Sequence, residues 1–126
     1  MPYPIQLTRA AARVTIENAP VTVLQPTSPL LTRPNKIGVD DWSGWVQERA
    51  LYMPSVIDPR YTSLLAMNDP GEPVNNGALL VAPVGKGSYV YVTLALFRQL
   101  PQGVPGAARI LMNLINAAPL PVSPKM

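Results

Sequence analysis

The 126-residue chain contains no cysteine and no histidine. Without these residues it can form no disulfide, and it lacks the Cys–His and Ser–His pairs on which many nucleophilic enzymes depend. Zinc sites with thiolate or imidazole ligands are excluded for the same reason. Catalysis would have to use carboxylates, lysine, tyrosine, or a serine activated by lysine, and we expect no cofactor and no metal.

Charge is also scarce in this chain. Charged residues make up 13% of it and hydrophobic residues 48%, whereas about 25% charged residues is usual in soluble domains. A surface poor in charge is typical of a domain that a partner partly covers. The ten basic residues exceed the seven acidic ones, which gives a net charge of +3, but they are scattered singly. We therefore expect no nucleic-acid interface.

Long apolar runs are absent as well. No segment approaches the roughly 18 apolar residues that a membrane-spanning helix needs, so we expect no membrane span. The opening residues "MPYPIQLTR" lack the charged-then-apolar layout of a signal peptide, which makes a cytoplasmic location the default expectation. The length suits one domain with one core.

Proline and glycine, by contrast, are plentiful, with 16 and 8 copies, and this predicts an ordered domain rich in loops. In residues 1–36, "YPIQL" and "APVTVLQP" are typical of short strands. Their flanking prolines restrict them to brief or edge strands. The following "SPLLTRPNKIG" is interpreted as a loop.

A short helix is predicted in "VDDWSGWVQERALYM", residues 39–53, within the middle region 37–76. The acidic pair at its start can accept hydrogen bonds from free amides at a helix N-terminus. Trp42, Trp45 and Val46 have the spacing of one helical face, and Pro54 closes the stretch. "YTSLLAMND" then predicts a strand that ends at the turn-rich "NDPGEPVNNG".

Residues 77–97, "GALLVAPVGKGSYVYVTLALF", raise the question of a phosphate-binding loop around Lys86. Such a loop requires G-x-x-x-x-G-K-[ST] followed by a helix. Here Leu80 stands at the first glycine position, Gly87 follows the lysine, and a β-rich run follows Gly87. The pattern instead predicts a β-hairpin with Gly85-Lys86-Gly87 at its turn.

The C-terminal part predicts a loop in "FRQLPQGVPG", a helix over 105–118 and a tail over 119–126. In "AARILMNLINAA" an apolar stripe is expected, with Asn113 and Asn116 on the opposite face. The stripe comprises Ala107, Ile110, Leu111, Leu114, Ile115 and Ala118. The fold class predicted for the single domain 1–126 is α+β: a mixed, largely antiparallel sheet, the C-terminal helix packed on it, and a short helix bearing the tryptophans.

Three stretches together carry a family resemblance. "PYPIQLTRAAARVTIENAPVTVL", "DDWSGWVQERALYMPSVIDPRYTSLLAMNDPGEP" and "GALLVAPVGKGSYVYVTLALFRQLPQGVPGAARILMNLI" resemble the C-terminal extension of some bacterial PIG-L (LmbE-like) deacetylases. That extension is similar to part of a class I glutamine-amidotransferase-like domain of the ThuA-like kind. The most specific portion runs from W-x-G-W-V-Q-E-R to F-R-Q-L-P-x-G-V-P-G.

The resemblance implies a relationship of fold and carries over no catalytic residue. The His-Pro-Asp-Asp zinc motif of the deacetylases and the cysteine, histidine and glutamate of amidotransferases have no counterpart here. The resemblance also implies that the first α/β half of the amidotransferase-like fold would lie upstream of Met1. A half-domain must cover its open strand edges, so we expect a homodimer or a partner that supplies the missing half.

Two groups of side chains are candidates for ligand binding. Trp42, Trp45, Tyr52 and Tyr61 could form an aromatic platform for a sugar, or they could pack in the core or at an interface. Arg98 and Gln99, at the end of the second hairpin strand, could bind a carboxylate or phosphate. Alternatively, they could hydrogen-bond loop carbonyls.

The remaining candidates are charged. In a helix, Asp41 and Glu48 would be about 10 Å apart, slightly beyond the spacing of about 6.5–9.5 Å in inverting glycosidases. The alternative is a helix-capping acid at one end and an ion pair of Glu48 or Arg49 at the other. A dyad of Ser88 with Lys86 has no activating feature.

The sequence thus favours a non-catalytic accessory or assembly domain. A carbohydrate-binding module and a hydrolase that uses only carboxylates are the alternatives.

Overall fold

The strands and helices of the described residues form an α+β fold. The computed structural model describes residues 2–7, 12–16 and 18–116. The predicted tail 119–126 and Ala118 of the predicted helical stripe lie outside the described residues. The strands are β1 (Ile5–Gln6), β2 (Ala12–Val14), β3 (Val21–Val23), β4 (Ala50–Met53), β5 (Val56–Ile57), β6 (Thr62–Met67), β7 (Asn75–Val84) and β8 (Gly87–Val92). The helices are α1 (Pro29–Thr32), α2 (Leu96–Gln99) and α3 (Pro105–Ile115), with 3₁₀ turns at Val39–Trp42 and Leu100–Gln102.

The main sheet has four strands in the order β3-β6-β7-β8, and every neighbouring pair is antiparallel. The predicted hairpin is confirmed, because β7 pairs with β8 from Val84 opposite Gly87 to Leu79 opposite Val92. Gly85 takes a positive φ of 57° at the turn, a conformation that glycine adopts at little cost. The Lys86 side chain is exposed there, and a strand follows it. This geometry is that of a turn between strands and not of a phosphate-binding loop.

Two short ribbons complete the strand structure: β1 pairs with β5, and β2 pairs with β4, both antiparallel. Strand β4 also joins the residues that follow β8. The Leu51 amide donates to the Thr93 carbonyl at 2.9 Å, and the Ala95 amide donates to the Arg49 carbonyl at 2.8 Å. The chain around Arg49 is therefore attached on both sides to strand backbone.

The core lies on one face of the main sheet. Leu65 and Leu79 from the central strands share one buried cluster with Ala107 and Ile110 of α3. The direct neighbours of α3 are α1, α2 and the Val39–Trp42 turn. On the other face, a smaller cluster forms around Tyr61, Leu80 and Ala82, with Tyr3, Ile5, Ile57, Tyr89 and Tyr91 packed against it. Both faces of β6 and β7 are covered, which explains why their apolar runs do not alternate with polar residues.

The predicted orientation of α3 is wrong in part. Asn113 is fully buried, whereas Ile115 is largely exposed. The Asn113 amide nitrogen donates to the carbonyls of Leu30 and Asn35, and its oxygen accepts from the Asn35 amide. Because these bonds satisfy its polar atoms, asparagine can occupy the buried face of the helix.

The predicted helix over 39–53 is also wrong beyond its first turn. The 3₁₀ turn ends at Trp42, and residues 50–53 form β4. Gly44 and Gln47 have positive φ angles of 78° and 65°, and neither angle fits a right-handed helix. Instead, the Arg49 amide donates to the Val14 carbonyl at 2.8 Å. Pairing with β2 thus prevails over the helical pattern of the tryptophans.

Two stretches interpreted as loops contain short helices. The segment 28–38 includes α1. Ser28 caps the N-terminus of this helix, because its side chain accepts a hydrogen bond from the Leu30 amide. The segment 97–106 includes the end of α2 and a 3₁₀ turn. Within the described ranges, no helix has the length and apolar character needed to cross a membrane.

Candidate functional site

A groove of about 1160 Å³ opens beside the tryptophans. We call it the Trp groove. One part of its wall comes from residues 15–26, and the other comes from residues 31–49. Its described lining is Thr15, Ile16, Asn18, Ala19, Val21, Val23, Pro26, Leu31, Lys36, Ile37, Gly38, Val39, Trp42, Ser43, Gly44, Trp45, Gln47 and Arg49.

The two tryptophans form one unit at the groove. Their ring centroids are 5.1 Å apart, with the planes tilted by 38°. Trp45 is 3% exposed and Trp42 is 8% exposed. The Trp45 indole N–H donates to the Asp41 carbonyl at 2.9 Å. The rings therefore present little free surface, and they are held as packed parts of the wall.

Arg49 is the most unusual residue of the groove, because it is a cation with only 4% of its surface exposed. Its Nη1 donates to the Trp42 carbonyl at 3.1 Å, and its Nε has no hydrogen-bond partner. The guanidinium carbon lies 5.9 Å from the ring centroid of each tryptophan, so cation–π attraction offsets part of the desolvation cost. Burial lowers the pKa of Arg49 below its usual value.

Gln99 of α2 holds the backbone that carries these side chains. It is fully buried. Its Oε1 accepts from the Val46 amide at 2.7 Å, and its Nε2 donates to the carbonyls of Val46 and Glu48 at 2.9 and 3.1 Å. A single side chain therefore fixes an irregular segment that lacks helical or strand bonds of its own. Gln99 hydrogen-bonds loop backbone and does not line the groove.

The two carboxylates singled out from the sequence are separated and engaged with different arginines. Asp41 accepts from the Gly38 amide at 2.8 Å, and its Oδ1 lies 2.8 Å from Arg109 Nε. Glu48 Oε2 lies 2.9 Å from Arg98 Nε, in an ion pair whose angles fall outside a regular hydrogen bond. Because each carboxylate is engaged by an arginine of α2 or α3, the arrangement offers no acid–base pair across a common cleft.

The opposite wall of the groove is anchored by Asp69, which follows β6. Its carboxylate accepts from the amides of Thr15 and Ile16 and from the Thr15 hydroxyl, at 2.8–3.0 Å. Partial burial raises the pKa of Asp69, but these hydrogen bonds outweigh it, and the net effect lowers the pKa below 3.8. The ionised carboxylate thus fixes two groove-lining residues.

The remaining sequence candidates lie elsewhere. Tyr61 belongs to the second cluster, where its hydroxyl donates to the Tyr3 carbonyl. Tyr52 is an exposed residue of β4 with a φ of 57°. Neither lines the groove, so the four aromatic residues do not form one platform. Ser88 and Lys86 lie on the β7–β8 hairpin and are also absent from the described groove lining.

Several groove residues carry no signal of their own in the sequence. Thr15, Ile16, Lys36 and Gln47 come from segments that are distant along the chain. Gln47 stands out only in the structure, through its positive φ of 65°, a strained conformation for a residue other than glycine. Within residues 2–7, 12–16 and 18–116, no group of three or more acidic side chains could hold a metal ion.

Comparisons of this chain with protein-family models, with curated proteins and with solved structures found no match.

Proposed function

We propose that this chain is a non-catalytic domain that binds a small organic molecule in the Trp groove. The observation that carries the proposal is the combination of a large concave surface with a buried, incompletely paired cation beside two aromatic rings. Binding sites are typically concave and mostly apolar, with a few converging polar groups.

The rigidity of the site supports the same proposal. Gln99 fixes the segment that bears the tryptophans, and Asp69 fixes the facing wall. A preformed site loses little conformational entropy when a ligand binds. Groove residues on both sides are therefore held by hydrogen bonds from outside the groove.

The two alternatives receive less support. A hydrolase that uses only carboxylates would need free acids, but Asp41 and Glu48 are paired with Arg109 and Arg98. A sugar platform would need open ring faces, and Trp42 and Trp45 are almost wholly buried. The ThuA-like resemblance and the assembly role that it implies stay predictions, since they concern surfaces outside the groove.

Intrinsic fluorescence tests the proposal directly, because Trp42 and Trp45 are the only two tryptophans in the chain. We would titrate the protein with aliphatic alcohols, amides and carboxylates and with neutral saccharides, and confirm hits by ligand-observed NMR. A saturable change in tryptophan emission is expected for at least one apolar class.

A matched pair of variants locates the binding. Val23 lines the groove, whereas Val92 does not, and both are strand residues of the main sheet with 39% and 36% exposure. Val23→Phe should weaken binding by narrowing the groove, and Val92→Phe should leave it unchanged. If no compound produced a saturable change, or if both variants weakened binding equally, the proposal would be wrong.

A further inference from the structure

The described charges at the Trp groove all have one sign. Among the described residues that line it, Lys36 and Arg49 are cationic and none is acidic. Four acids are adjacent in sequence to lining residues. Asp41 and Glu48 are engaged by arginines outside the groove, Asp40 is exposed and absent from the described lining, and Glu17 lies outside the described residues. A bound anion would therefore be attracted by these two cations, and no carboxylate in the described lining would repel it.

Arg49 also has an unused donor. Its Nε is buried and has no partner, and its Nη1 makes a single bond to a backbone carbonyl. An arginine presents its donors in a planar fork that matches a carboxylate. Removing a cation from water without a counter-ion is costly, so an arriving carboxylate would gain more here than at an exposed arginine.

The rest of the wall defines the body of the ligand. The largest class in the described lining is aliphatic, with seven of its eighteen residues: Ile16, Ala19, Val21, Val23, Leu31, Ile37 and Val39. This aliphatic part of the wall offers no hydrogen-bond partner for the hydroxyls of a sugar or for the second charge of a phosphate dianion. It suits an aliphatic chain, whose burial is favourable in proportion to its area.

We propose that the Trp groove binds a carboxylate with an aliphatic body, and that Arg49 is the residue that recognises the carboxylate. This inference rests on the proposed function and adds the ligand class and the recognition residue. Trp42 and Trp45 position the guanidinium, and Lys36 adds positive charge at the exposed part of the groove.

The test compares octanoate with octanamide, which have the same chain and differ in charge. Binding is measured by tryptophan fluorescence and calorimetry at low and high salt. A charge-assisted hydrogen bond predicts that wild-type protein binds octanoate about tenfold more tightly than octanamide. Arg49→Met should reduce this ratio to about one while it leaves octanamide binding in place.

Lys86→Met serves as the charge-matched control, because it removes one cation from the exposed hairpin turn. It should keep the wild-type preference. Thermal unfolding checks that each variant folds, and Arg49→Met should fold because it removes a desolvated cation rather than a partner of a buried anion.

A readout on unmutated protein keeps the test decisive even if Arg49→Met does not fold. In spectra of ¹⁵N,¹³C-labelled wild-type protein, octanoate should shift the Arg49 Nε–H resonance, assigned through its correlations with the Arg49 backbone, and octanamide should not. Equal binding of both ligands would overturn the carboxylate preference and leave the proposed function standing. If neither octanoate nor octanamide bound, this inference would be overturned. The proposed function would then be wrong only if no compound of the wider panel bound either.

Discussion

Gln99 offers the sharpest test of how the groove is held in place. Its side chain is fully buried and makes three hydrogen bonds to the backbone of residues 46 and 48. Gln99→Met keeps nearly the same volume and removes all three. Each such bond contributes about 0.5–1.5 kcal/mol net. Since Val46 and Glu48 are only half-buried, water can partly replace the lost partners, and we expect a loss of about 2–4 kcal/mol.

Gln99→Glu separates the hydrogen bonds from the packing. A carboxylate oxygen would replace the Nε2 that now faces two carbonyls, so the variant should be less stable than Gln99→Met at neutral pH. This repulsion raises the folded-state pKa of the new carboxyl above its unfolded value of about 4.3. The variant should therefore be most stable relative to wild type at low pH, and it should lose that stability as pH rises through the folded pKa.

Urea unfolding followed by tryptophan emission measures these changes, and it also reports the environment of the groove. Gln102→Met, at an exposed glutamine in the adjacent 3₁₀ turn, is the control and should change stability by less than about 0.5 kcal/mol. The reasoning would be refuted if Gln99→Met lost no more stability than this control. A Gln99→Glu variant with no distinct pH dependence would also contradict it.

Three further predictions address the helix, the facing wall and the assembly. Gly106→Ala should destabilise the folded protein by about 1–3 kcal/mol, because a Cβ at Gly106 would overlap the Asp41 carbonyl. This loss is expected although alanine usually favours a helix. An unchanged or raised Tm would contradict the close approach of the two backbones. The lowered pKa of Asp69 means that its stabilisation is present above pH 3.8 and is lost as pH falls through the folded pKa. Asp69→Asn should therefore weaken the acid dependence of stability, and an unchanged pH profile in this variant would contradict the reasoning. Asp58, whose pKa the hydrogen bonds from Arg60 lower to about 2, should leave a residual dependence in the variant. Light scattering after size-exclusion chromatography should give a dimer of the 13.6 kDa chain, and a monomer would contradict the self-pairing that the family resemblance implies.

The elements that could be predicted from the sequence are those with a strong local signal. The β-rich runs on either side of Gly85-Lys86-Gly87 predict a hairpin, and β7 and β8 confirm it. Strand β6 and helix α3 likewise follow from β-propensity and from helical periodicity. Local preference and tertiary contacts agree in these regions, so the expectation and the structure coincide.

The Trp-bearing segment shows where this agreement ends. The spacing of Trp42, Trp45 and Val46 is that of a helical face, yet only the first turn is helical. The Val14 carbonyl and the Gln99 side chain supply hydrogen bonds that stabilise a non-helical course. Both partners are distant in sequence, and a pattern read along the chain contains no information about them.

The composition alone determined which chemistry is closed to this protein, because residue types that are absent cannot act in any fold. The order of the residues determined the hairpin and the C-terminal helix, where neighbours along the chain decide the conformation. Only the tertiary structure decided that Arg49 is a buried cation beside two tryptophans and that Asp41 and Glu48 are engaged elsewhere. Burial and pairing depend on which distant segments meet, and that is a property of the packed chain.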